Sequence, residues 1–122
     1  MMDQPSILEI VEVVRTFIEQ RAMPELKGHT AFHARVAANA LGIVARQLAQ
    51  GDEAAAVERE GLIALLGHDG TLEDLNRELC SKIRDGAIGL DTAGFADHLI
   101  KTTKDKVRID QPTYSGLKQA ER

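Results

Sequence analysis

The sequence predicts an all-α protein: a compact bundle of about five helices with a short C-terminal tail. Three observations carry this. Apolar residues recur at the 3.6-residue period through most of the chain, and convincing period-two alternation is absent. Starting and stopping residues bracket those stretches, among them Ser6, Pro24, Thr71, Gly86 and Pro112. There are three Phe, one Tyr and no Trp, so the core must be built from Leu, Ile, Val and Ala, which suits closely packed helices.

A first helix is expected over 6–21. Ser6 followed three residues later by Glu9 forms a capping box, in which two orphan N–H groups find acceptors. Ile7, Ile10, Val11, Val14, Phe17 and Ile18 share a face, and Leu8 and Val13 widen it. Pro24, lacking an N–H, stops the helix. A second helix is expected over 30–50, after Gly28, with Phe32, Val36, Ala40, Ile43, Val44 and Leu48 as its main stripe. Small residues cover much of its remaining surface, which marks it as a central helix buried on several sides. Gly51 and Asp52 then read as a turn before a third helix over 53–66. Thr71 caps a fourth over 71–85, ended by Gly86 in the left-handed conformation. Asp91 or Thr92 caps a fifth over 92–110, and Pro112 biases Gln111 away from helix. Residues 111–122 read as an extended tail.

A chain of 122 residues points to one domain over 1–122, large enough for a core without disulfides or metal. A net charge of −4 and no basic stripe argue against nucleic acid as a partner. No apolar run approaches the roughly 18 residues of a membrane span, and no basic n-region opens the chain. The lone Cys80 cannot form an internal disulfide and fits a cytoplasmic setting. The broad apolar faces of helices one and two exceed what one subunit covers, so a homodimer is expected.

Few residues carry chemistry. Arg35, Asn39 and Arg46 recur at offsets of four and seven, with Gly42 between them. One reading is an anion site, with guanidinium groups gripping a phosphate or carboxylate. The other is structural, with Arg46 paired to a carboxylate such as Glu60. His29 and His33 stand i, i+4 and could share a metal, zinc or iron, but Thr30 occupies the place of the zinc-protease Glu. A third ligand would have to come from Glu25, His68 or Asp69. His68–Asp69 is a poor acid–base pair, since adjacent side chains diverge. His98, beside Lys101, Thr102 and Asp105, reads as part of a solvated face. Cys80 reads as a half-buried hydrophobe. No catalytic residue and no cofactor are assigned.

Three stretches taken together carry a resemblance: Phe32-His33-Ala34-Arg35-Val36-Ala37-Ala38-Asn39-Ala40-Leu41, then Leu75-Asn76 through Ile83-Arg84-Asp85-Gly86, then Lys106-Val107-Arg108-Ile109-Asp110-Gln111-Pro112-Thr113-Tyr114. From about Pro5 to Tyr114 the chain resembles a small bacterial family of all-helical proteins that form a domain of unknown function. That family is typically encoded beside acyl-CoA dehydrogenases and kinases of the aminoglycoside-phosphotransferase type. The resemblance implies a role near acyl-CoA metabolism, with one of those enzymes as a partner, and that Tyr114 packs back onto the bundle. The expected function is a non-enzymatic accessory or interaction module. The alternative is a binder or enzyme for a small anion or acyl-CoA-type ligand, using His33, Arg35, Asn39, Arg46 and Tyr114.

Overall fold

The computed structural model describes residues 3–122. Among them lie five α-helices and no strand: α1 (Ile7–Phe17), α2 (Gly28–Leu66), α3 (Leu72–Arg84), α4 (Phe95–Asp110) and α5 (Ser115–Ala120). The chain is all-α, as its periodicity requires. No helix among the described residues is long and apolar enough to cross a membrane. The chain divides into two compact units, one ending at Gly51 and the other beginning at Asp52.

In the first unit the Ser6 capping box is present. Ser6 Oγ accepts from the Glu9 N–H at 3.2 Å, and Glu9 Oε2 accepts from the Ser6 N–H at 2.7 Å. One stripe of α1, Leu8, Val11 and Arg15, is half-buried. Arg15 reaches across to α2, where a Cβ on Gly42 would stand 3.5 Å from its Cζ. The first helix does not run evenly to residue 21. It widens into a π turn (Ile18–Ala22) and tightens into a 3-10 turn (Met23–Glu25). Pro24 falls in the opening positions of that 3-10 turn, where a missing N–H costs little. Gly28, at φ +62°, opens α2.

The expected break at Gly51–Asp52 is absent, and the helices placed over 30–50 and 53–66 are one helix of 39 residues. A glycine inside a helix costs only about 1 kcal/mol relative to alanine. A stop needs proline or a residue at positive φ, and Gly51 is not among the positive-φ glycines. The Glu53-Ala54-Ala55-Ala56 run that follows carries the helix through. The first half of α2 also falls short of a helix buried on several sides. Ala38, Gly42 and Ala45 are buried, whereas Phe32, Val36, Val44 and Leu48 are exposed.

The second unit holds the larger apolar core: Leu62, Leu75, Leu79, Ile88 and Phe95, with Ile63, Leu65, Leu66 and Leu72 packed around them. Gly67 at φ +81° ends α2, and the Thr71 hydroxyl caps α3 by accepting from the Asp74 N–H at 3.1 Å. Gly86 at φ +78° ends α3 as expected. The next helix starts at Phe95 rather than 92, because Gly94 in the left-handed region sets its entry. Thr92, instead of capping, accepts from the Gly89 N–H at 3.0 Å and closes the loop. The tail is not extended. Residues 115–120 form α5, which packs on α4 through buried Leu117 and through Glu121, held by Arg108 at 2.6 and 3.0 Å. Tyr114 stays exposed with its ring over Gly116, so Leu117 docks where Tyr114 was expected to. Cys80 is exposed, one residue off the buried stripe of Leu75 and Leu79.

Candidate functional site

On α2, Arg35 and Asn39 are exposed and Arg46 is half-buried. Gly42 lies between them, and a Cβ there would meet Arg46 Nη1 at 3.2 Å and Arg15 Nε at 3.6 Å. Cationic groups from α1 and α2 therefore meet over a glycine, a contribution from Arg15 that spacing along α2 could not reveal. Both are already engaged. Arg15 is bonded to Glu19 at 3.2 Å and stands 4.0 Å from Glu12, and Arg46 has its own interaction. His33 does not join this group. It is two residues from Arg35, which on a helix turns it roughly 200° away. It is exposed, with its ring 5.5 Å from Phe32 in an edge-on contact. His29 is exposed as well, and among the described residues no three His, Cys, Asp or Glu side chains gather to hold a metal ion. Tyr114 lies in the second unit.

In the second unit the turn from α2 to α3 is tied by side chains. Arg59 Nε donates to the Gly70 carbonyl at 2.8 Å, and its guanidinium also holds Asp69. His68 Nδ1 donates to the Asp69 carbonyl at 2.9 Å and Nε2 to Glu78 at 2.6 Å. The backbone carbonyl and the Glu78 carboxylate hold the imidazole above its ordinary pKa. Lys82, 3.0 Å from Glu78, and then His68 hold that carboxyl below the usual range. His68 does find a tertiary partner, but it is Glu78 rather than the adjacent Asp69 carboxylate. In the protonated ring both nitrogens donate, and that form has no lone pair left to act as a base.

A groove of about 500 Å³ opens between the C-terminal half of α2 and the start of α4. Val57, Ala64 and Leu65 supply apolar wall, and Glu60, Asp97 and His98 supply polar edges. Its closest approach is at Gly61, where a Cβ would fall 2.5 Å from His98 Nδ1. Burial pushes the His98 pKa down, and Lys106 adds to this. His98 is half-buried, not part of a solvated face. Lys101 and Asp105, which suggested that face, pair with each other.

The largest unsatisfied feature is apolar. Among the described residues of the first unit, nine large hydrophobic side chains stand exposed: Ile7, Ile10, Val13, Val14 and Phe17 on α1, and Phe32, Val36, Val44 and Leu48 on α2. Val13 is 69% exposed and Phe17 60%. On α1 they flank the half-buried stripe of Leu8, Val11 and Arg15. On α2 they lie away from Ala38, Gly42 and Ala45. Each helix is thus covered on one side only.

The sequence profile of a family described as Domain of unknown function (DUF6285) matches residues 24–114. The chain belongs to the DUF6285 family. No curated protein and no solved structure matches it. The DUF6285 match takes in α2, α3 and α4 with the Arg35–Asn39–Arg46 stripe, the tied turn and the His98 groove. The α1 stripe lies before the matched DUF6285 segment, and α5 follows it.

Proposed function

We propose that this DUF6285 chain is a non-enzymatic accessory module that docks other proteins through the exposed apolar faces of α1 and the first half of α2. The observation that carries the reading is the set of nine exposed large hydrophobics in the first unit. Single exposed apolar side chains are ordinary, but nine large ones concentrated on two helices point to an interaction surface. The resemblance seen in the sequence makes an acyl-CoA dehydrogenase or a phosphotransferase-like kinase the first partner to try, in a cytoplasmic setting. Affinity capture of each enzyme by the wild-type chain and by Val36→Glu/Val44→Glu tests this. Binding to the wild type and its loss in the variant are expected. Equal recovery of both enzymes by the two proteins, or of neither, would count against this role for α2.

One observation favours a second reading. Arg15 brings a guanidinium to Gly42 beside Arg46, so cations from two helices could face one phosphate or acyl-CoA-type anion. Glu19 and Glu12 already hold Arg15, which ranks this reading below the first. A site-bound anion at a hundredfold excess over its dissociation constant stabilises by about 2.7 kcal/mol. Thermal melting with coenzyme A and with inorganic phosphate decides it: an unmoved midpoint removes the anion site.

A further inference from the structure

We propose that the partner on the α1 face is a second copy of this chain, docked antiparallel through Ile7, Ile10, Val14 and Phe17. This rests on the interaction reading above and assigns one of its two faces. The four residues are spaced three, four and three apart, which is the a/d seam of a helix that packs lengthwise on another helix. Val13 borders that seam and is the most exposed of the α1 apolar residues. With Val13 included, the five side chains leave roughly 100 Å² each outside, so full coverage in a pair of copies buries on the order of 1,000 Å², the lower edge for a specific interface.

Direction follows from what flanks the seam. An antiparallel pair sets a positions against d positions, so Ile7 meets Phe17 of the second copy and Ile10 meets Val14. Asp3 precedes one end of the seam and Arg21, in the π turn, follows the other, so antiparallel docking brings the two ends together. Neither Asp3 nor Arg21 has an ion pair among the described residues, and their charges are opposite. A parallel pair would set Asp3 against Asp3 and Arg21 against Arg21. The register also gives the incoming residues a place to sit. Phe17, Arg21, Ala22, Glu25 and Leu26 line a hollow of about 560 Å³ at the C-terminal end of α1. Ile7 and the short segment before it enter that hollow, and twofold symmetry repeats the contact at the other end.

The test has two parts. Light scattering at tens of micromolar should give twice the 13.3 kDa chain mass for the wild type. Phe17→Glu should be monomeric with the same helical circular dichroism, since Phe17 is exposed and its loss empties no core. The second part uses Cys80→Ser as background and adds Ile7→Cys and Phe17→Cys, singly and together, under mild oxidant. Ten residues on one helix separate the sites by about 15 Å, too far for a disulfide within a chain. Antiparallel docking therefore makes the double variant a covalent dimer and leaves both single variants uncoupled. Cross-linking of Ile7→Cys alone would overturn the antiparallel register. A wild-type monomer would overturn the second copy as the partner. A monomer that still captures an enzyme through α2 leaves the interaction reading intact. A dimer that captures neither enzyme removes the enzyme partners and keeps this inference.

Discussion

Both ring nitrogens of His68 face acceptors, and that favours its charged form. A folded pKa above the unfolded value of about 6.5 contributes stability that is fully present below that value. The contribution is lost as pH rises through the higher folded value. His98 has the opposite sign. Its folded pKa is lowered by burial, so stability falls as pH drops from the ordinary imidazole value through the folded one. In an NMR titration His68 should change charge above the ordinary histidine midpoint and His98 below it. Coincident midpoints would remove both assignments. Gly61→Ala should drive the His98 ring toward water and raise its midpoint, because the added carbon falls 2.5 Å from Nδ1. Neither histidine's partner was legible in the sequence. The carboxylate that holds His68 is on α3 and the glycine that admits His98 is on α2, so neither partner is a sequence neighbour. Arg35, Asn39 and Arg46 were legible as a stripe because helix spacing alone defines one. That same spacing excludes His33.

At the scale of elements, signals three residues apart were reliable. Ser6 with Glu9 and Thr71 with Asp74 each gave a cap, because the bonds lie within one turn of helix. Gly51 failed as a turn signal because permissiveness is not an instruction: nothing beside it forces the backbone out of the helix. Its substitution is a direct check. A Cβ at position 51 meets only the flexible end of Gln47, which is exposed and free to swing aside. Gly51→Ala should therefore stabilise by about 0.5–1 kcal/mol through reduced backbone freedom in the unfolded chain. A thermal midpoint a few degrees higher is expected. A lower midpoint would mean that the chain needs a break in α2 at this point.

At the scale of the molecule, the excess of apolar surface on the first two helices was visible in sequence, since Leu8 and Val13 fall outside a single stripe. Which of them is covered was not visible. Leu8 is half-buried and Val13 exposed because α1 has a neighbour on one side only. The proposed dimer would make folding and assembly one equilibrium, so the melting midpoint should rise with protein concentration. Phe17→Glu should lose that dependence, melting at one temperature across a hundredfold dilution. A wild-type midpoint insensitive to concentration would place the α1 seam outside any interface stable enough to matter. The proposed seam precedes the DUF6285 match, so α1 and the matched segment are separable in sequence.

The tied turn between α2 and α3 has a consequence for proteolysis. Two of the exposed connections of the second unit, 67–71 and 85–94, contrast as substrates for a protease of broad specificity. The first is fixed to its helices by Arg59 and Glu78, so its backbone cannot readily unfold into an extended substrate. The second carries Leu90 at 81% exposure, with no side chain from α2 or α3 hydrogen-bonded to it among the described residues. Cleavage takes exposed, weakly held loop tips first. Limited digestion should cut near Leu90 and leave the histidine turn whole, and Glu78→Gln/Arg59→Ala should open the turn to the same enzyme.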